Sequence, residues 1–432
     1  MGGTDAIGRP AATAARLSRG GLILAAMLLA GFALRVAYRV HLGEHDFWSS
    51  GYSFFNAIAK NVVAGHGLFA PGRGWAARQP VYPLFLAVGL LLGGSYLPLV
   101  ICEALFGVAT ALLAFLIGRR WFGERAGLIA AALAALYPYY VVHDTALQDT
   151  SMVGVGATLA VWVFLRARIS ASAWAWLGAG LVAVVIVLIR GTLLPFSLGA
   201  IAWIALLGDG AWRTRLLRAG VVAAACGLVL GVWVARNYEH TGRLMLSSEV
   251  GAEFYWANGP YTFRFYPHAS MDQSAGEAQQ ALTRAARQTL AALPEAQRSD
   301  WYMAEGWRYV AAHPGEIAAG ALRKEAAGFS WVLNPEREGP VGLAYTLSYM
   351  PLLALGLAGM ALARIDWREA SLVGLQFAGF IVVTAIFWAH TSHRVYLDVY
   401  LMVFAALVIE RIVTFCLRSL RGRDGPAGRR VR

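Results

Sequence analysis

The chain alternates between long apolar runs and short polar punctuation. Apolar runs lie near 21–40, 98–117, 126–142, 150–166, 173–190, 192–207, 216–235, 343–363, 370–388 and 397–415. Each has the helix length that recurs in segments buried in a hydrocarbon core about 30 Å thick, and the shorter ones require tilt, snorkelling or local thinning. A further run, PVYPLFLAVGLLLGGS over 80–95, is apolar but short. The pattern predicts an all-α polytopic membrane protein with ten or eleven transmembrane helices.

Charge gives the runs an orientation. With Arg9, Arg16 and Arg19 in the cytoplasm and ten crossings counted, four later clusters fall on the same side: Arg119/Arg120/Arg125, Arg166/Arg168, Arg213/Arg215/Arg218 and Arg364/Arg368. The C-terminal arginines 418, 421, 423, 429, 430 and 432 join them. Basic loops are retained inside, so every dense cluster agrees with one topology. Counting 80–95 as a crossing would invert all of them, so it is read as a juxtamembrane or re-entrant helix on the outer face, with an eleventh span as the alternative. The resulting organisation is a membrane module over 1–235 with a first exterior loop at 41–97, and an exterior, mostly helical region at 236–342. Spans over 343–415 and a basic cytoplasmic tail over 416–432 complete it. The helical periodicity of AGEAQQALTRAARQTLAAL (275–293), punctuated by Pro294 and Pro314, fits helices packed along the membrane surface.

Composition agrees. Of 432 residues, 58% are hydrophobic and 14% charged, too few charges to cover a water-soluble surface. The net charge of +12 is not a nucleic-acid signature, because the arginines cluster at the ends of apolar runs without interleaved aromatics. Cys102, Cys226 and Cys416 lie far apart inside apolar runs and suggest neither disulfides nor a thiolate metal site. The apolar stretch from Gly21 is followed by Arg35, Tyr38 and Arg39 and not by a small-residue cleavage site, so it is read as a retained anchor.

Several segments recur in a familiar order. NAIAKNVVAGHG (56–67) precedes QPVYPLFLAVGLL (79–91), GRRWFGERAGLIAAALAALYP (118–138) and HDTALQDT (143–150). LIRGTLLPF (188–196), VWVARNYEHTGRLMLSSEVGAEFYWANGP (232–260), HPGEIAAGALRKEAAG (313–328) and SHRVYLDVYLMVFAAL (392–407) follow. The ordered set resembles the GT-C superfamily of polyprenyl-phosphate-sugar glycosyltransferases, closest to the bacterial branch related to protein mannosyltransferases and lipid A aminoarabinose transferases. That resemblance implies one acid in the first exterior loop, here Asp46, and a second in the next, here Asp149. It also implies a lipid-linked sugar donor. The match departs from the family at two points. The first acid usually sits closer to the helix carried here by 52–64, with Glu44 and His45 as neighbours of Asp46, and Gln79-Pro80 stands where Pro-Pro is usual.

The chemistry can be argued without the family. Glycosyl transfer from a lipid phosphate needs a carboxylate for the acceptor hydroxyl, an approach opposite the leaving group, and cations for the leaving phosphate. Asp46 and Asp149 are the carboxylates, either of them the base. Arg190, Arg236 and Arg394 stand at exterior span ends, and a guanidinium fits phosphate oxygens bidentately. Each has a plainer reading as an interfacial anchor. Asn237 beside Arg236, Tyr396 beside Arg394, and Lys324 as a point charge extend the substrate-binding set. Glu103 joins it because an acid in an apolar span marks a functional site by default. Tyr52 and Asn258 are sugar or acceptor contacts, with interfacial belt or loop packing as the alternative. Paired carboxylates suit a divalent metal, yet nothing in the sequence requires a cofactor, and His45, His66, His143, His390 and His393 lack metal-ligand spacing.

The expected function is an inverting membrane glycosyltransferase in the plasma (inner) membrane, with its active site on the periplasmic or exterior face. Its partners would be a polyprenyl-phosphate-linked sugar and a lipid, glycan or protein acceptor, together with membrane lipids and no nucleic acid. Its rivals are a transporter or flippase of lipid-linked sugars, which would favour mid-span charges and internal repeats, and a non-catalytic membrane scaffold.

Overall fold

The computed structural model describes residues 18–43, 53–93, 95–170, 172–337 and 339–423. Among these no residue belongs to a named strand, and every predicted span is helical. Asp46, Glu44 and Tyr52 lie outside the described residues.

Helix α1 (Arg19–Leu42) is followed by two short helices, α2 (Ser53–Val63) and α3 (Val81–Leu91), and by the long α4 (Leu97–Phe122). Helix α3 is about 16 Å long at 1.5 Å per residue, roughly half a hydrocarbon core. It stays beside the first two turns of α4: Tyr82 donates to Glu103 at 2.8 Å, and a Cβ on Gly89 would strike Leu99. Helix α4 turns at Gly123, whose φ of 93° excludes most side chains, into α5 (Glu124–Leu136). The two pack through small residues, with Gly127 against the carbonyl of Phe115 and Gly118 against Gly127. Close backbone approach of this kind is how helices associate where lipid offers no hydrophobic drive.

The predicted span 126–142 is broken. Pro138 forces Tyr137 to extended geometry and opens a separate helix, α6 (Pro138–His143). The orphaned carbonyls of Ala134 and Ala135 accept from the fully buried Arg35 of α1, whose Nε also donates to Asp144 at 2.8 Å. A cation at a helix C-terminus is favoured by the local dipole.

Helices α7 (Thr150–Arg168), α8 (Ala173–Ile189), α9 (Leu194–Leu207) and α10 (Trp212–Thr241) complete the first half of the bundle. Five polar-region helices follow: α11 (Val250–Ala257), α12 (Met271–Ala281), α13 (Arg284–Ala292), α14 (Glu295–Ala312) and α15 (Pro314–Gly328). Last come α16 (Pro340–Leu362), α17 (Trp367–Ile386) and α18 (Thr391–Arg423). Among the described residues seven helices (α1, α4, α7, α10, α16, α17 and α18) are long and apolar enough to cross a membrane, while α3, α8 and α9 are shorter apolar helices. The chain is a multi-pass membrane protein.

The sequence boundaries need one large correction. The last span was expected at 397–415, but α18 begins at Thr391 and continues to Arg423. Arg394 is therefore a helical residue, and the basic segment from 416 prolongs the helix before leaving the described residues.

The bundle has two chemically distinct ends. At one, Arg120, Arg168 and Arg368 meet Asp209, Asp366 and Glu369. These residues come from the α4–α5, α7–α8, α9–α10 and α16–α17 junctions, so the predicted basic loops share one end. At the other lie the first loop, α11–α15 and the starts of α7 and α18.

Candidate functional site at the loop-rich end

Asp149 and Arg190 meet here because α7 and α8 run antiparallel. Asp149 immediately precedes α7 and Arg190 immediately follows α8. Arg190 Nε donates to Asp149 Oδ2 at 2.9 Å, and its Nη2 donates to Oδ1. Both side chains are largely buried, at 9% and 17% exposure. This fork-on-carboxylate geometry fixes the guanidinium in one orientation. Gln79 of the first loop closes in from the side, since a Cβ on Gly191 would come 2.7 Å from its Nε2.

Residues of the first loop, α11 and the start of α18 complete the cluster. Arg190 lies within electrostatic reach of His393 and Tyr396, both on the first turns of α18, and Arg78 also reaches His393. Arg78 pairs with Glu249 at 3.0 Å and Glu253 at 3.7 Å. Glu253 in turn accepts from Trp388 Nε1 at 2.9 Å, and the Trp388 ring lies 5.1 Å from that of His393. Burial raises the pKa of Glu253, with Arg78 opposing it. The result is a continuous polar seam from the first loop, through α11, to the beginning of α18.

The other predicted residues take different places. Arg236 donates to the carbonyls of Trp75 and Leu68, and its guanidinium lies over the rings of Trp75 and Trp233. Asn237 is fully buried and donates to the carbonyls of Met245 and Leu246. This pair fastens loops to the end of α10. Arg394 is also fully buried; it pairs with Asp398 at 3.0 Å, donates to the Tyr345 hydroxyl and lies over the Tyr349 ring. The expectation that arginines 190, 236 and 394 converge on one phosphate does not match these partners. Arg190 stands with Arg78 instead.

Lys324 and Asn258, expected separately, are joined. Lys324 Nζ donates to Asn258 Oδ1 at 3.1 Å and to the Ala257 carbonyl at 3.3 Å, and the lysine is 1% exposed. Burial lowers its pKa to about 8, and burial raises that of the neighbouring Glu325 to about 7. Glu103 is fully buried, accepting from Tyr82 and from the Leu147 amide at 3.0 Å. That anchors the loop leading to Asp149.

Sequence reasoning missed Arg78, Glu253 and Trp388. Arg78 directly precedes the Gln79-Pro80 motif, which was the available signal. It also missed the buried charge pairs of Arg35 with Asp144 and Arg394 with Asp398, the first between residues distant in sequence and the second one helical turn apart. Among the described residues no group of three or more His, Cys, Asp or Glu side chains could hold a metal. Both oxygens of Asp149 are taken by Arg190, so the described residues do not by themselves fit a divalent ion.

Comparison with known proteins places this geometry in context. Residues 77–235 match the family model of dolichyl-phosphate-mannose-protein mannosyltransferases. No curated protein matches the chain. The fold is similar to that of the oligosaccharyltransferase AglB from Archaeoglobus fulgidus, in complex with an inhibitory peptide and a dolichol-phosphate. Identity is 16%, coverage is 95% of this chain and 52% of the archaeal one, and the TM-score is 0.55. A second structure of the oligosaccharyltransferase from Archaeoglobus fulgidus, in complex with Zn and sulfate, gives 16%, 91%, 49% and 0.52. ArnT from Cupriavidus metallidurans, bound to undecaprenyl phosphate, matches at 17% identity over 91% of this chain and 78% of its own, with a TM-score of 0.37. The chain spans about half the length of the archaeal enzymes it matches. The expected likeness to the GT-C superfamily thus holds in the family model and in the fold.

Proposed function

We propose that this GT-C-fold protein transfers a sugar from a polyprenyl phosphate to an acceptor, with inversion, at the loop-rich end of the bundle. The observation that carries this reading is the Asp149–Arg190 fork set beside Arg78 and His393 where the membrane helices meet the first loop. A donor of this kind keeps its isoprenoid chain in lipid and its head at the boundary, which is where that cluster lies.

In the reaction the acceptor hydroxyl oxygen bonds to the anomeric carbon as the bond from that carbon to the phosphate oxygen breaks. The electron pair leaves with the phosphate, and the hydroxyl proton passes to a carboxylate. Arg190 and Arg78 would stabilise the developing phosphate charge, an electrostatic role that needs cations already oriented before the reaction. Asp149 supplies that orientation for Arg190. Asp46, in the first loop, is proposed to receive the proton, with Asp149 as the other candidate. The positive-inside pattern supports an exterior location for this end, in the plasma (inner) membrane.

The test is an in vitro transfer assay over a panel of polyprenyl-phosphate sugars, comparing the unmodified protein with Asp46→Asn and Asp149→Asn. Loss of turnover in at least one is expected, and normal turnover in both sinks the site. Sidedness is checked separately with Phe122→Cys, which should resist a membrane-impermeant thiol reagent applied from outside. Labelling there would put the Asp149 end in the cytoplasm.

A further inference from the structure

A cavity of about 400 Å³ opens between the first loop and α11, α13 and α14. That volume lies in the range of small-molecule sites and is too small for a folded acceptor. Its walls include Arg73, Glu249, Trp256, Arg287, Arg298 and Tyr302. Glu249 pairs with both Arg73 and Arg78, so a single carboxylate separates the cavity from the Arg190 cluster.

Three observations say what the cavity fits. First, the ring of Trp256 forms part of the wall. Second, Trp256 and Tyr302 meet edge to face at 6.1 Å, presenting aromatic surface of the kind that packs on the C–H face of a sugar ring. Third, the arginines are unequally used. Arg73 is paired with Glu249, whereas Arg287 and Arg298 donate to the backbone carbonyls of Gln280 and Arg73. Neither forms a salt bridge among the described residues, which leaves guanidinium capacity for an anion. Glu295, also in the wall, already accepts from the amides of Trp75 and Ala76 and from Ser248, and holds the first loop against α14.

Resting on the transferase reading above, we infer that this cavity binds an acidic saccharide and that this saccharide is the acceptor. The ring packs on Trp256 and Tyr302, and Arg287 and Arg298 take the carboxylate or phosphate. The remaining hydroxyls point toward the Glu249 wall and the donor cluster beyond it.

Binding is measured without donor on the full chain in lipid nanodiscs. The probes are a hexuronic-acid-containing oligosaccharide, its carboxyl-reduced neutral counterpart, and an Asp- and Glu-rich peptide of equal charge. Saturable binding of the first is expected. Arg287→Gln should weaken it about tenfold or more, the worth of one charge-assisted hydrogen bond, and carboxyl reduction should do the same. Trp256→Leu removes the aromatic face and should weaken both saccharides alike. The inference is overturned if no saccharide saturates, if the peptide binds equally well, or if binding survives Arg287→Gln and Trp256→Leu together. A chain that transfers sugar to other acceptors while ignoring these saccharides loses this inference and keeps the proposed function. A chain that binds them yet transfers nothing with any donor loses the transferase reading and keeps the saccharide site.

Discussion

The two ends of the bundle use the same residue types for different ends. At the basic end the charges satisfy one another. Glu369 accepts from Arg120, Trp121 and Arg168, and Arg168 also reaches Asp209 and Asp366, whose side chains are 40% and 39% exposed. These contacts tie loop tips together in water. At the loop-rich end Asp149, Lys324 and Arg394 are charges taken into the buried interior. Ion pairs at loop tips hold helix ends in register, whereas a buried charge is fixed in orientation by the few partners that satisfy it.

The sharpest way to break this comparison is to remove one member of a fully buried pair on the loop-rich side. Asp144→Asn leaves the Arg35 guanidinium under the end of α5 without its counter-ion, and it should cost about 3–5 kcal/mol in unfolding experiments on purified protein. A loss no greater than that of an exposed pair would mean water reaches Arg35.

Next comes Arg190→Lys, which keeps the charge but gives up the planar fork. Transfer should fall about 100-fold, in the range of losing one preorganised donor to a developing anion, while the unfolding temperature changes little. Equal losses of rate and stability would reduce Arg190 to a structural residue.

How far the sequence carried these assignments depends on distance along the chain. Apolar length and basic punctuation were local signals, so the helices were legible, and so was the gathering of basic loops. Asp149 and Arg190 were each legible as span-end residues, but their pairing across 41 residues was not. Arg35 was visible as a charge near an apolar run, yet its partner Asp144 lies 109 residues on. Arg394 is different. Asp398 is one helical turn away, and an i, i+4 pair can be read from sequence. It was hidden by placing the start of the last helix too late, which turned a buried pair into a supposed loop arginine. Asp46, Glu44 and Tyr52 fall outside the described residues, so their part of the site stands on the sequence alone.

A smaller effect sits in the pH dependence of stability. Glu325 has a folded pKa raised to about 7, so the folded state holds a proton that the unfolded state has released. Stability should therefore fall as pH rises from the ordinary carboxylate range toward 7. Lys324 has a folded pKa lowered to about 8, so the unfolded state holds the extra proton above that value, and stability should recover as pH rises toward the ordinary lysine range. Unfolding temperature against pH should show a shallow minimum near 7 to 8. Glu325→Gln should flatten its acid side and Lys324→Met its alkaline side; unchanged curves in both variants would place these groups in water.

The smallest effect is expected at the basic end. Arg368 pairs with Asp209 at 3.6 Å, with both side chains more than a third exposed. Arg368→Gln should cost about 0–1 kcal/mol and leave transfer unchanged. A large loss of activity there would mean that the two ends are coupled and the comparison is wrong.

The grip of Glu295 on the first loop also has a consequence in time. The carboxylate that holds the amides of Trp75 and Ala76 lies 220 and 219 residues later in the chain. During synthesis the first loop emerges long before its fastener exists, and Arg236, which holds the same turn from α10, comes about three-quarters of the way through that interval. A half-made chain thus carries its early membrane helices without a finished loop; the cavity is closed only once α14 has been made, and the Arg190 cluster only when Trp388 and His393 follow. Protease protection of the 73–76 turn should accordingly be acquired late, after residue 295 has been made, and not when α4 enters the membrane.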